Sequence, residues 1–146
     1  MILPFDTNIF PHKSGVFIVG GSIRDLMSNR TPFDYDVVVQ HDVASFTNRL
    51  ASKTSGRLVE LGKQGQVMRR VITKDLIFDI MPLNGANIDE DLLQRDFTVN
   101  AMALSVSSGS LIDHVGGRRD LVSNKIRMVS KDVFRKDPVR LIRAYR

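Results

Sequence analysis

Asp34 and Asp36 stand one residue apart at the head of an apolar run, Asp34-Tyr35-Asp36-Val37-Val38-Val39. Side chains alternate faces along a strand, so residues two apart point the same way and both carboxylates aim at one spot. Like charges held that close repel unless a positive group lies between them. A hard divalent cation such as magnesium meets the need, because it takes oxygen ligands and is commonly held by one or two carboxylates together with substrate phosphates. The alternative is a turn before a strand, with solvated aspartates at its mouth. The neighbours favour the cation. Gly20-Gly21-Ser22 follows a short apolar run, Val16 to Val19. A Gly-Gly turn between a strand and a helix start offers backbone N–H groups to an anion and lets a phosphate approach without meeting a Cβ. Arg24, in the first helical turn, would add a guanidinium to the same phosphate. For Arg24 and Asp25 the competing reading is a surface ion pair plus helix capping. Asp79 interrupts Leu76-Ile77-Phe78-Asp79-Ile80-Met81, where an unpaired charge is costly. It is the candidate third carboxylate, or else an edge-strand aspartate facing water.

These residues need elements to position them. Val16 to Val19 and Asp34 to Val39 read as strands, as do the β-branched or alternating runs Arg57 to Glu60, Val67 to Thr73 and Leu76 to Met81. Ser22 to Ser28 reads as a short helix with Ser22 as N-cap and Asp25 as its capping partner. Val43 to Leu50 reads as a second helix and Asp96 to Val106 as a third, with Phe97, Val99, Met102 and Leu104 as its core face. Leu111-Ile112-Asp113 and Ile126 to Val129 are short extended pieces around a Gly116-Gly117 loop. Asp137-Pro138 starts a last helix. At about 100° per residue it sets Leu141, Ile142 and Tyr145 on one face and Arg140, Arg143 and Arg146 on the other. No glycine, proline or polar cap closes it, so the chain reads as the N-terminal part of a longer protein. The expected class is α/β (α+β): a mixed sheet of about five strands with helices on one side.

Composition excludes several classes. The 146 residues are 42% hydrophobic and 25% charged, ordinary for one soluble domain. No cysteine is present, so neither a disulfide framework nor a thiolate metal site is available. No apolar stretch approaches the roughly 20 residues a membrane helix needs, and no signal pattern opens the chain. It reads as cytoplasmic. The net charge of +5 is concentrated late, with eight basic residues from Lys125 onward against Asp132 and Asp137. That suggests a polyanionic partner, with a solvated helix face as the alternative. Lys63, Arg69 and Arg70 read as a solvated strand and turn rather than RNA contacts. His12, His41 and His114 share no metal-ligand spacing.

Taken in order, Gly20-Gly21-Ser22-Ile23-Arg24-Asp25, Asp34-Tyr35-Asp36, Arg95-Asp96-Phe97-Thr98-Val99-Asn100-Ala101-Met102-Ala103, Leu111-Ile112-Asp113 with Gly116-Gly117, and Asp137-Pro138-Val139-Arg140-Leu141-Ile142-Arg143-Ala144 resemble a known head domain. It is that of bacterial-type class II tRNA nucleotidyltransferases and poly(A) polymerases, within the polymerase-β-like nucleotidyltransferase superfamily. The resemblance covers about residues 16 to 146. It implies a head over 1–130, the start of a helical neck over 131–146, and magnesium-dependent, template-independent addition of CMP or AMP, from CTP or ATP, to an RNA 3′ end. A tRNA end is the expected acceptor. Asp34 and Asp36 match the family's metal ligands in a two-metal reaction. Gly21 and Arg24 match triphosphate contacts, flanked by Gly20 and Ser22. Arg95 matches a nucleotide-contacting arginine, Asp96 lies where the ribose is sensed, and Arg143 and Arg146 match arginines of the nucleotide pocket.

Two departures accompany the match. Gln94 replaces the first of two arginines common before the aspartate, and His114 stands where proline is common. Base selection belongs to neck residues beyond Arg146, so CCA addition, partial CC or A addition and poly(A) synthesis all stay open. Rival readings are a noncatalytic RNA-binding module and a nucleotidyltransferase acting on a small molecule or protein.

Overall fold

The computed structural model describes residues 3–62 and 68–145. Strand β1 (Val16–Val19) runs into helix α1 (Gly21–Met27), and β2 (Tyr35–Val39) into α2 (Val43–Thr54). Three strands follow: β3 (Arg57–Leu61), β4 (Met68–Ile72) and β5 (Ile77–Pro82). Then come α3 (Ile88–Leu93), a 3-10 turn at Thr98–Asn100, β6 (Ala103–Ser105), β7 (Leu111–Ile112), α4 (Gly117–Val122) and α5 (Val133–Lys136). The strands form one sheet in the order β3-β4-β5-β2-β1-β6-β7. Every pairing is antiparallel except β2 with β5. Central position explains the sequence of β2: Val37, Val38 and Val39 are all buried because both faces are covered.

Alternation divides the sheet's side chains between two faces. Val16, Ile18, Val37, Val39, Val71, Phe78 and Ile80 pack on one face with Ile23 of α1 and Phe46 and Leu50 of α2. Phe46 and Leu50 lie one turn apart, and burying each contributes about 1.5–3 kcal/mol. Asp42 caps α2 by accepting a hydrogen bond from the Ala44 N–H at 2.9 Å. The opposite face carries a smaller cluster of Val19, Val38, Leu92, Ala101 and Ala103. Asp36, Asp79 and Arg70 alternate onto this second face.

The sheet has seven strands rather than about five, because β6 and β7 extend it beyond β1. The helix expected over Asp96 to Val106 is not formed. The Asp96 carboxylate accepts hydrogen bonds from the Phe97 N–H (2.8 Å) and Asn100 Nδ2 (3.1 Å), and the Thr98 hydroxyl donates to Asp120 (2.6 Å). Side chains of this kind compete with helical backbone bonding. Phe97, Met102 and Leu104 are still buried, as core of a turn and a strand. Helices do not all lie on one side, since Leu92 of α3 joins the second face. The sequence carries a signal for α3: Asn87 accepts from the Glu90 N–H, and Glu90 accepts from the Ala86 N–H. Nor does Ser22 cap α1. Gly20 holds the N-cap position, and the Ser22 hydroxyl donates to the Val19 carbonyl. Gly116-Gly117 opens α4, whose first N–H groups donate to Asp113. Pro138–Tyr145 is a 3-10 helix, with Leu141, Ile142 and Tyr145 exposed.

Gly117 is the tightest of these joints. A Cβ there would stand 2.2 Å from the Thr98 carbonyl oxygen and 2.9 Å from Met102 Cγ. Gly117→Ala is expected to destabilise the fold by about 1–3 kcal/mol, the usual cost of overpacking, measured as a lower midpoint in urea unfolding with the slope unchanged.

Candidate active site

Parallel pairing of β2 with β5 sets Asp36 directly beside Asp79, and antiparallel pairing of β4 with β5 sets Arg70 on the other side of Asp79. Asp34 lies at the entrance to β2. Asp79 is 5% exposed, so it is no edge aspartate facing water. Arg70 holds it through two charge-assisted bonds, Nε to Oδ1 at 2.7 Å and Nη2 to Oδ2 at 2.6 Å. The same Nη2 stands 3.7 Å from Asp34 Oδ2. Arg70 is therefore part of the acidic cluster and not a solvated strand residue. Its pKa is raised above the usual arginine value, first by the bond to Asp79 and also by the charges of Asp79, Asp34 and Asp36. Lys63 lies outside the described residues, and Arg69 pairs instead with Glu60 at 2.5 Å.

Asp36 has no hydrogen-bond donor among the described residues. Its carboxyl is pushed above the ordinary aspartate value, chiefly by burial and further by the charges of Asp79 and Asp34, against the lowering effects of Arg95 and Arg143. The Gly20 turn closes over it. Gly20 has φ +71°, and a Cβ there would stand 3.3 Å from Asp36 Oδ2 and 3.1 Å from Arg95 Nη1. Only glycine satisfies both the backbone angle and the space. The Gly20 N–H is used by the Met102 carbonyl at 3.2 Å, which leaves Gly21 and Ser22 as the turn's forward-facing amides.

Arginines approach from the 95–100 segment and α1. Arg95 is anchored by Nε and Nη2 on Asp91 Oδ1, at 3.1 and 2.8 Å, with Nη1 turned to the Gly20 turn. Arg24 donates to Asp25 through Nε and Nη2 and to Asn100 Oδ1 through Nη1 at 2.8 Å. Asn100 in turn bonds Asp96, so Arg24 and Asp96 share one relay. Asp96 is 3% exposed; its Oδ2 has no hydrogen bond among the described residues, although Arg143 Nε lies 3.1 Å away. Arg146 lies outside the described residues. Gln94, in place of an arginine, binds Asn84 through both ends of its amide and braces the loop before α3. Behind the segment, Asp120 accepts from Thr98 and from Arg127, bonds that hold its carboxyl below the ordinary range. Sequence reasoning missed Asp91, Asn100 and Asp120 as the partners that aim this segment. His12 and His41 pack edge to face at 5.0 Å, away from these carboxylates, and His114 meets Asp89.

The donor set fits a hard cation held by two carboxylates. Among the described residues neither Asp34 nor Asp36 accepts a side-chain hydrogen bond, Arg70 Nη2 standing 3.7 Å from Asp34, whereas both oxygens of Asp79 are engaged. Among the described residues no three acidic or histidine side chains converge as a metal cage, in keeping with a cation that completes its shell from substrate phosphates. Because the Asp36 pKa is raised, its stabilising contribution is present below the ordinary aspartate value and lost as pH rises through the raised one. Asp36→Asn is therefore expected to raise Tm by a few degrees at neutral pH without divalent cation. The gain should vanish below about pH 4, near the unperturbed aspartate pKa, in melts recorded across pH.

Comparison with known proteins gives this geometry a family. Residues 16–85 and 80–127 match the poly A polymerase head domain. A CC-adding tRNA nucleotidyltransferase of Geobacter sulfurreducens is 37% identical over 133 residues, covering 90% of this chain and 31% of that protein. An A-adding tRNA nucleotidyltransferase of Deinococcus radiodurans is 38% identical over 136 residues, covering 93% and 30%. A solved CCA-adding enzyme in complex with CTP superposes with a TM-score of 0.81 at 34% identity, over 90% of this chain and 33% of that one. The chain thus spans about a third of the length of these relatives. Among the described residues no helix is long and apolar enough to cross a membrane. With the carboxylate pair, the glycine turn and the arginine-bearing segment assembled on one sheet face, the chain belongs to the poly A polymerase head-domain family.

Proposed function

We propose that the protein transfers nucleotides from CTP or ATP to the 3′ end of an RNA, with tRNA as the principal acceptor. The observation that carries this reading is the Asp36 carboxylate, without a hydrogen bond among the described residues, crowded by Asp34 and Asp79 and lying under a glycine turn that faces Arg95. The names of the relatives, CC-adding and A-adding tRNA nucleotidyltransferases, support the acceptor and the nucleotides.

Magnesium held by Asp34 and Asp36 would supply Lewis acidity, lowering the pKa of the RNA 3′-hydroxyl and offsetting charge on the triphosphate. The chain's own groups do the rest. Gly20 and Gly21 leave the space that a triphosphate needs beside the carboxylates. The Ser22 hydroxyl is committed to Val19, so this residue serves through its backbone N–H. Arg95, fixed on Asp91, presents Nη1 to the phosphates, and Arg24 and Arg143 add positive charge at the rim. Arg146 follows Arg143 in the same basic stretch and is assigned to the same nucleotide pocket. Asp96 Oδ2, buried and paired in charge with Arg143 but without a hydrogen bond among the described residues, could accept one from a ribose hydroxyl. Pre-aimed donors of this kind stabilise charge on the transferring phosphate and hold attack in line.

Incubating the protein with tRNA lacking its 3′ end, with CTP and ATP in turn, tests the proposal. Magnesium-dependent extension is the expected result, abolished by a chelator. Long adenylate tails on an RNA other than tRNA would instead favour poly(A) synthesis, and no incorporation of either nucleotide would refute the reading. Asp34→Ala should lower incorporation more than about a hundredfold, beyond the usual effect of losing a residue that merely orients a metal ligand, with an unchanged circular dichroism spectrum.

A further inference from the structure

Among the described residues Arg70 is the one cation built into the acidic cluster itself. Its guanidinium engages both oxygens of Asp79, and the shared Nη2 leans towards Asp34 at 3.7 Å. Asp79 is almost fully buried, so it needs a permanent positive partner. Strand register supplies one: Arg70 faces Asp79 across β4–β5, and Asp79 faces Asp36 across β5–β2. The three side chains lie in a row across one sheet face. Resting on the reading of Asp34 and Asp36 as cation ligands, we infer that Arg70 is a positioning residue that holds Asp79 away from the divalent cation and thereby sets the cation affinity of the site.

Two consequences follow from charge and geometry. With Arg70 in place, Asp34, Asp36, Asp79 and Arg70 together carry two negative charges, and only two carboxylates are free to ligate. Without it the cluster carries three negative charges, and both oxygens of Asp79 become available beside Asp36. Arg70 thus trades cation affinity for a cluster that stays folded before the cation arrives. Exchange of cation and pyrophosphate is easier from a two-carboxylate site than from a three-carboxylate one.

The test is Mn2+ binding to the protein, followed by electron paramagnetic resonance without nucleotide or RNA. Arg70→Met should tighten Mn2+ binding at least about tenfold, since a unit charge a few ångströms away is worth several times RT even at an effective dielectric of about 20. Its Tm without cation should fall below wild type, and Mn2+ should raise it by more than in wild type. The double variant Arg70→Met/Asp79→Asn restores the wild-type net charge without freeing a carboxylate. It should return to within a few-fold of wild-type affinity and stay folded without cation. Equal or weaker Mn2+ binding by Arg70→Met overturns the inference, as does a double variant that binds as tightly as the single one. If Arg70→Met folds only with Mn2+ present, the cation has taken the guanidinium's place and the inference stands. If it does not fold even then, a double variant that departs from wild-type affinity by tenfold or more overturns it. Loss of wild-type Mn2+ binding in Asp34→Ala checks the underlying site. Should no variant show Asp34-dependent binding, the cation site itself is wrong and Arg70 has nothing to regulate.

Discussion

The arrangement turns on carboxylates forced together by strand register. Parallel pairing of β2 with β5 leaves Asp36 and Asp79 no choice but to be neighbours on one sheet face, with Asp34 at the strand's entrance. Burial and mutual repulsion make the ionised cluster unfavourable, as the raised Asp36 pKa records. The surroundings respond to that cost: Arg70 neutralises Asp79, Arg95 and Arg143 bring positive charge near Asp36, and the Gly20 turn keeps side chains out of the space above it. The same unfavourable field is the physical basis for the proposed cation site.

Rigidity on the opposite side of the cluster comes from polar residues that are not themselves in it. Asp91 orients Arg95, Asn100 ties Arg24 to Asp96, and Asp120 with Arg127 pins Thr98 from behind. Gly117 lets α4 approach the Thr98 carbonyl closely enough to complete that backing. The irregular 95–100 segment is thus held by side-chain hydrogen bonds together with a single 3-10 turn and the backbone bond from the Thr98 N–H to the Arg127 carbonyl.

What could be read from sequence was local. Alternation across Asp34-Tyr35-Asp36 showed that the two carboxylates share a direction, and Gly20-Gly21 marked a turn, because both depend on residues close in the chain. The third acidic residue was visible as a charge in an apolar strand, but its partner was not. Arg70 meets Asp79 only through the register of β4 on β5, which a short polar-looking strand does not disclose. The helix expected over Asp96 to Val106 failed for a related reason: apolar spacing there suits helix and strand alike, and the deciding bonds come from Asp120 and Arg127, more than twenty residues on. Helix α3 was not read at all, although Asn87 and Glu90, a capping pair with no long-range component, mark its start. Fold class came through because strands and helices alternate clearly. Of the two extra strands, β7 matches the extended piece read at Leu111-Ile112-Asp113, whereas β6 fell inside the expected helix, its three residues being too short to show a period of their own.

A crystal of the protein grown with Mn2+ and CTP, with anomalous scattering recorded at the manganese edge, would test the central claim most directly. The account predicts an anomalous peak ligated by Asp34, Asp36 and triphosphate oxygens, with the phosphates against Gly20 and Gly21 and Asp79 still paired with Arg70. A nucleotide bound with no peak at Asp34 and Asp36, or a peak elsewhere on the molecule alone, would contradict it.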